Sequence, residues 1–163
     1  MKKILFVGLA LTALFATSCK DKKAWKDGDL GPFTVHFDNR WGDHEFVLGQ
    51  EETTPNGEKV KITTLNYFIS NLVLHNENGS KFVVPQDKSY FLTKESDAAS
   101  GEFEIPNVPA GNYTGITFTL GVDSLRNTKD VSERTGALDI GGAAADMYWG
   151  WNSGYIFYKI EGT

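Results

Sequence analysis

The sequence predicts an all-β protein, an antiparallel β-sandwich of the Ig-like or Greek-key type. From Phe33 onward apolar and polar residues alternate with a period of two, which is typical of strands with one buried face. Turn signals rich in Gly, Pro and Asn separate these strands, and no segment shows a convincing amphipathic helical period. We also expect the sandwich to lack its C-terminal strands, because the sequence stops at Thr163 directly after an apolar strand.

The longest predicted strand covers residues 60–75 and is rich in Ile, Thr, Leu, Tyr, Phe and Val. Its alternation slips once around Ser70 and Asn71, which predicts a bulge or bend at that point. The other predicted strands are shorter and are bounded by turn signals; they cover residues 33–38, 45–49, 81–84, 89–93, 102–105, 113–120 and 155–161. The Gly- and Ala-rich segment 130–146 is predicted to be a long loop with at most a turn of helix.

The N-terminus predicts a bacterial lipoprotein. Two lysines precede an apolar run over residues 4–15, which is too short to span a bilayer and ends in small residues before Cys19. We therefore expect residues 1–18 to be a signal peptide, Cys19 to be lipidated and residues 19–29 to form a charged tether. The β domain then covers residues 30–163, held in the bacterial cell envelope by its lipid on the periplasmic or surface side of the outer membrane.

Composition excludes two classes of function. The formal net charge is −5 and no basic stripe is present, which argues against nucleic acid as a partner. The sequence also contains no Gly-x-Ser-x-Gly, His-Glu-x-x-His or phosphate-binding Gly loop. We therefore expect the protein not to be an enzyme.

The densest aromatic segment runs from Ala145 to Tyr155 and contains Trp149 and Trp151. Two indoles separated by one residue either anchor the core or line a binding site, and composition alone favours the core. If they bind, one possibility is a surface adhesion or glycan-binding module in which Trp149, Trp151, Trp41 and Tyr155 stack on sugar rings.

Metal binding is the other possibility for this segment. The three histidines, His36, His44 and His75, have no spacing that specifies a metal on its own. If the fold brought two of them together they could bind copper or zinc, with the thioether of Met147 as a further ligand for Cu(I).

The order of motifs resembles the MbnP-like copper-binding domain family, relatives of the MopE and CorA copper proteins. The resemblance covers the sequence after the tether, and its most specific part is Met-Tyr-Trp-Gly-Trp-Asn-Ser-Gly-Tyr, residues 147–155. It is also carried by Phe-Thr-Val-His-Phe-Asp at residues 33–38, by the segment 61–72, by Val-Pro-Ala-Gly-Asn-Tyr at 108–113 and by Phe-Thr-Leu-Gly-Val-Asp at 118–123.

This resemblance implies an exported β protein for copper acquisition or trafficking. In the MopE and CorA relatives, copper is held by histidines together with a kynurenine, which a partner di-haem enzyme makes from tryptophan. The resemblance therefore makes Trp149 or Trp151 the residue to be oxidised and His36 a candidate copper ligand. The sequence departs from the MopE-type pattern, because the position two residues after Trp149 is Trp151 where that pattern has a histidine. The family domain also continues into a further strand pair that carries a histidine.

Overall fold

The computed structural model describes residue 26, residues 28–151 and residues 154–163. The predicted signal peptide, Cys19 and most of the tether therefore lie outside the described residues. Twelve strands are described: β1 (Leu30–His36), β2 (Arg40–Trp41), β3 (His44–Glu45), β4 (Glu51–Thr53), β5 (Lys59–Asn76), β6 (Lys81–Val83), β7 (Tyr90–Lys94), β8 (Glu102–Pro109), β9 (Tyr113–Leu120), β10 (Tyr148–Trp149), β11 (Gly154–Tyr155) and β12 (Tyr158–Gly162).

Helical structure is sparse. One α-helical turn, α1 (Ser124–Asn127), follows β9, and four 3₁₀ turns cover Gln86–Lys88, Ala98–Gly101, Val131–Glu133 and Gly136–Leu138. None of the helices in the described part of the chain has the length and apolar character needed to cross a membrane.

The 18-residue strand β5 organises the main sheet, because it pairs antiparallel with five other strands. Asn66 and Tyr67 pair with both β7 and β12, while Ile69 and Ser70 pair with both β7 and β9. A strand has only two edges, so β4, β7 and β6 follow one another along one edge of β5, and β12 and β9 lie along the other. The predicted strand over residues 60–75 is confirmed.

The predicted irregularity in β5 is a bulge at Asn71. Its φ is +55°, a conformation that asparagine adopts more readily than other residues with a Cβ, and the pairing with β9 shifts register between Ser70 and Val73. The bulge reverses the alternation of side chains. Buried positions on one face of β5 are odd-numbered before it and even-numbered after it, and they are Leu65, Tyr67, Ile69, Leu72 and Leu74.

Hydrogen bonds from the next segment hold the bulge. The amide of Asn71 donates to the carbonyl of Ser89 (3.2 Å), and the amide of Leu72 donates to the Ser89 hydroxyl (2.8 Å). Gln86 donates from its side chain to Oδ1 of Asn71 (2.7 Å), while the Tyr90 hydroxyl donates to Asp123 (2.6 Å). Burial and this bond to a carboxylate raise the pKa of Tyr90 to about 12, so the hydroxyl keeps its proton.

Each face of β5 contributes to a separate core. The first core lies between β5 and the two-stranded sheet of β1 and β8, whose Phe33, Val35, Ile105 and Val108 pack against it. The second core lies on the opposite face, where Phe68 and its neighbours are covered by the chain between β9 and β11. Its buried members are Phe68, Leu92, Val122, Leu138, Ala144, Met147 and Tyr155. The all-β sandwich architecture predicted from the sequence is confirmed.

The strand boundaries differ from the prediction in several places. The predicted strand 155–161 is divided into β11 and β12, and β4 was not predicted. β8 continues through both prolines to Pro109, and Pro109 pairs with Leu30 at the end of the two-stranded sheet. The predicted strand over residues 45–49 is only the two-residue β3, which forms a small hairpin with β2. The predicted long loop 130–146 is confirmed, and its helical content is limited to two 3₁₀ turns.

Replacement of Asn71 by alanine should destabilise the fold more than the same change at Asn107. Both residues have positive φ, +55° and +57°, so the backbone cost of alanine is similar at the two positions. Of these two side chains, only that of Asn71 takes part in the hydrogen bonds around the bulge. We therefore expect Asn71→Ala to lower the free energy of unfolding by about 2 to 3 kcal/mol and Asn107→Ala by about 1 kcal/mol. Urea unfolding monitored by circular dichroism measures both, and equal losses would contradict a role for the side chain.

Candidate functional site

The aromatic segment singled out in the sequence is a short hairpin at the edge of the second core. Strands β10 and β11 pair through Tyr148 with Tyr155 and through Trp149 with Gly154. The two indoles project from the outer part of this hairpin, with Trp149 45% exposed and Trp151 79% exposed. Their ring centroids lie 5.4 Å apart and their planes are tilted by 59°. The tryptophans are therefore a surface pair, and the expectation that they anchor the core is wrong.

The root of the hairpin, in contrast, is buried and firmly bonded. The Tyr155 hydroxyl donates to the Leu138 carbonyl (2.6 Å), and the Tyr155 amide donates to Oδ1 of Asn127 (2.9 Å). The Ile156 amide donates to the carbonyl of Met147 (2.8 Å), whose side chain is fully buried. The long loop thus fixes where the hairpin leaves the protein, while the indoles beyond it contact solvent.

A buried cation lies at this root. The guanidinium of Arg134 is 4.7 Å from the ring centroid of Tyr148 and 5.2 Å from that of Tyr155, so it contacts both members of the β10–β11 pair. Arg134 is only 7% exposed, and it donates to the carbonyl of Lys129 through Nη2 (2.9 Å) and Nε (3.2 Å). Burial raises the pKa of Tyr155, although the positive charge of Arg134 opposes the shift.

A cavity of about 430 Å³ lies beside Trp149. Asp146, one of two carboxylates in the lining, accepts hydrogen bonds from Lys94 Nζ (2.6 Å) and from Asn66 Nδ2 (3.0 Å). Burial alone would raise the pKa of Asp146, but the bond from Lys94 and the nearby lysine charges lower it below its ordinary value. The side chain is therefore an anion with its partners in place. The lining residues are Ala145, Asp146, Tyr148, Trp149, Ile156, Tyr158, Lys159, Ile160 and Glu161.

The structure brings together two of the four predicted metal ligands. Trp149 and Trp151 are in contact, but the thioether of Met147 is enclosed in the second core below them. His36 is on β1, where its Nδ1 is 3.9 Å from a carboxylate oxygen of Glu102, and it does not line the cavity beside Trp149.

The other two histidines have partners of their own. Nε2 of His44 is 3.0 Å from Oε1 of Glu52, and Nε2 of His75 is 2.7 Å from the hydroxyl of Thr117. Within the described part of the chain, no group of three or more His, Cys, Asp or Glu side chains is placed to hold a metal ion.

The aromatic residues considered for glycan binding do not share one surface. Tyr155 is buried and its hydroxyl is bonded within the core, while Trp41 packs against the first core. Only Trp149 and Trp151 remain exposed, and the tilt of 59° between their planes prevents them from forming one flat platform for a sugar ring.

Sequence reasoning missed Arg134 and the pair of Lys94 with Asp146. The segment 121–147 contains two arginines, and each lies over tyrosine rings. Arg126 lies over Tyr90, and Arg134 lies over Tyr148 and Tyr155. The only signal in the sequence was an arginine inside a loop otherwise rich in glycine and alanine.

Known proteins that resemble this chain in sequence or structure identify its family. The sequence model of the MbnP family matches residues 30–163. The chain belongs to the MbnP family. The solved structure of MbnP from Methylosinus trichosporium is similar, with a TM-score of 0.60 and 19% sequence identity over 82% of this chain and 55% of that chain. The chain thus spans about half the length of that MbnP, and the likeness at this identity concerns the fold. Among curated proteins, none matches the chain.

Loss of the Tyr155 hydroxyl should loosen the hairpin root of this MbnP-family domain. Tyr155→Phe leaves the buried carbonyl of Leu138 without its donor, so we expect a loss of about 1 to 3 kcal/mol in the free energy of unfolding. Tyr148→Phe is the matched control, because the ring stays over Arg134 and no side-chain hydrogen bond of Tyr148 is found among the described residues. Chemical denaturation compares the two variants; equal stability of Tyr155→Phe and Tyr148→Phe would argue against the bond.

The pair of His44 and Glu52 should make stability depend on pH. The hydrogen bond to Glu52 raises the pKa of His44 above its ordinary value of 6.5. A raised pKa in the folded state means that the stabilisation is complete below 6.5 and is lost as pH rises through the raised value. NMR titration of the imidazole should give a pKa above 6.5, and Glu52→Gln should return it toward 6.5. A ring that titrates at the same pH in both proteins would contradict this assignment.

Proposed function

We propose that this MbnP-family chain is an exported, lipid-anchored protein of the bacterial cell envelope that binds copper for acquisition or trafficking, with copper as its cargo. It acts without catalysing a reaction. The observation that carries this proposal is the exposed pair of Trp149 and Trp151 on a hairpin with a rigid root. A large exposed aromatic pair on a well-held element is costly to leave in water, and it is accessible to a partner protein.

Oxidation of one of these indoles supplies the donor atoms that the unmodified side chains lack. Opening the C2–C3 bond of indole with one O₂ and one water gives kynurenine and formate. Dioxygen is reduced in this step, and the formate carries away C2. The product has an aryl amine and a ketone, whereas the indole nitrogen of tryptophan is only a donor of a hydrogen bond. Copper binds amine nitrogen well, so the modified hairpin gains a ligand at its exposed end.

This role requires that the indoles of the hairpin be accessible to the partner enzyme. A di-haem partner enzyme must bring its oxidant to the indole, and Trp151 is 79% exposed. The neighbouring Tyr148 and Tyr155 are oxidisable as well, but Tyr155 is buried, and both rings face the positive charge of Arg134. Removing an electron from a ring beside a cation is electrostatically disfavoured, so oxidation is favoured at the indoles.

The protein isolated from its native envelope should carry one oxidised tryptophan and bind copper. Conversion of tryptophan to kynurenine increases the mass by about 4 Da, and calorimetry should show uptake of about one copper ion per chain. Because one tryptophan is oxidised, one of the two variants Trp149→Phe and Trp151→Phe should abolish both the mass increase and the copper uptake. Substituting His36 together with Trp149, as His36→Ala and Trp149→Phe, should weaken copper uptake.

The matched control is Trp41→Phe, which changes a tryptophan that packs against the first core and lies outside the hairpin. We expect it to keep both the mass increase and the copper uptake. Mature protein that gives no heat with copper at micromolar concentration would refute the proposed function. Binding of sugars on a glycan array after removal of metal would favour the adhesion alternative instead.

A further inference from the structure

The predicted tether enters the domain at one end of the sandwich. A turn joins Lys26 to Asp29, because the Asp29 amide donates to the Lys26 carbonyl (3.0 Å) and the Lys26 amide donates to Oδ2 of Asp29 (3.0 Å). The carbonyl of Asp29 accepts from the Ala110 amide (2.8 Å), and Leu30 pairs with Pro109. The entry point is therefore fixed at the end where β8 turns into β9, which we call the tether end.

The last residue of β5 lies at the same end. Asn76 pairs with Tyr113, the first residue of β9, and the Glu77 amide donates to the carbonyl of Asn112 (2.9 Å). The Tyr113 hydroxyl donates to the carbonyl of Pro109 (2.9 Å), which connects this end of β5 to the end of β8. Positions along β5 therefore measure the distance from the tether end.

The indole hairpin of β10 and β11 meets β5 at a different level. Directly after the hairpin, the carbonyl of Phe157 accepts from the Phe68 amide (3.0 Å), and Tyr158 pairs with Tyr67. A strand rises by about 3.3 Å per residue, so the path from Asn76 back to Tyr67, less the extra residue of the bulge, covers roughly 25 Å. The root of the hairpin is thus held far from the tether end.

Strand β1 gives the same separation independently. The ring of Phe33, near the start of β1, contacts that of Tyr113 at 5.8 Å, and the ring of Phe37, just after β1, contacts that of Tyr67 at 6.0 Å. β1 therefore runs from the tether end to the level of the hairpin root. His36, the histidine predicted as a copper ligand, lies at this level too.

The tether and the domain carry opposite charge. Lys20, Lys22 and Lys23 follow the cysteine that we propose to be lipidated, and lysines beside anionic headgroups are attracted to them. The whole chain has a formal net charge of −5 despite these lysines, so the domain is acidic. A flexible segment of this length spans roughly 20 Å, which keeps the tether end close to the bilayer. Repulsion from anionic headgroups disfavours a domain that lies flat on the membrane.

We propose that the anchored domain is held with its tether end toward the bilayer and presents the indole hairpin to a water-soluble partner protein. This inference rests on the lipid anchor of the proposed function and adds the kind of partner. A protein that oxidises an indole or exchanges copper at the hairpin must approach from the aqueous side. A protein whose own site lies at the level of the headgroups does not reach it.

The test uses the full lipidated chain in vesicles of phosphatidylcholine and phosphatidylglycerol that contain an acceptor-labelled lipid. Cys19 is the only cysteine of the sequence, so Lys81→Cys or Gly150→Cys introduces a single free thiol for a donor dye. Lys81 is exposed and pairs with His75 near the tether end, and a side chain at Gly150 would meet no atom within 4 Å. We expect energy transfer to be at least about threefold more efficient from Lys81→Cys than from Gly150→Cys, because the two levels differ by roughly 20 Å along β5.

Glu51→Cys is the matched control for position. Glu51 is exposed and pairs with Lys61, which is farther from the tether end along β5 than the hairpin root. We expect its transfer to be no greater than that of Gly150→Cys. Iodide in the aqueous phase should quench the dye at Gly150→Cys equally with and without vesicles, because the bilayer does not cover the hairpin. Circular dichroism confirms that each variant is folded.

Equal transfer from Lys81→Cys and Gly150→Cys, or stronger transfer from Glu51→Cys than from Lys81→Cys, would overturn the orientation and leave the anchor intact. Protection of the dye at Gly150→Cys from iodide on vesicles would also overturn it, since the hairpin would then rest on the bilayer. Wild-type chain that takes up the dye at Cys19 and stays out of the vesicle fraction would refute the anchor and the orientation together. Copper uptake enters none of these measurements.

Discussion

The constraint on which the structure depends is that β5 must bury both of its faces in its central part. Tyr67, Phe68, Ile69 and Leu72 are all nearly inaccessible, although successive side chains of a strand point in opposite directions. An uninterrupted alternation would carry Leu72 and Leu74 to the face opposite Leu65 and Ile69. The bulge at Asn71 shifts the alternation by one residue and so keeps Leu72 and Leu74 on the same face as Leu65 and Ile69. One continuous apolar surface therefore faces the β1–β8 layer.

Among the described residues, no sheet covers the second face of β5. The segment between β9 and β11 covers it with single residues such as Val122, Leu138 and Met147, and with the ring of Tyr155 against Phe68. An irregular cover of this kind must satisfy its own backbone groups, and it does so with short turns capped by aspartate, such as Asp123 and Asp130. The same packing that completes the core also sets the direction of the indole hairpin.

Arg134 has an unusual place in this cover. A buried guanidinium is costly without a partner, and no carboxylate within ion-pair distance of it is found in the described residues. Its charge is instead met by the carbonyls of Lys129 and Asn127 and by the faces of Tyr148 and Tyr155, while Nη1 has no hydrogen-bond partner. Arg134 therefore links the loop to both strands of the hairpin.

The fold could be predicted from the sequence because its strongest signals are local. The alternation in β1 and in the first part of β5, the slip at Asn71 and the turn residues between strands all follow the period of two that is typical of a strand. The site could be predicted only in part. The density of aromatics located the hairpin, but exposure depends on which residues the loop places at its root, and alternation does not encode that. The family assignment came from the resemblance of the motifs to the MbnP family, because periodicity indicates only the fold class.

The hairpin separates packing from recognition within a few residues. Tyr148 and Tyr155 carry the packing, whereas a Cβ added at Gly150 would meet no atom within 4 Å, and Trp151 is largely surrounded by solvent. Substitutions at the outer end therefore cost the fold little. Related proteins can therefore differ in the chemical groups at this end, and in what they bind, while the packing of the root stays the same.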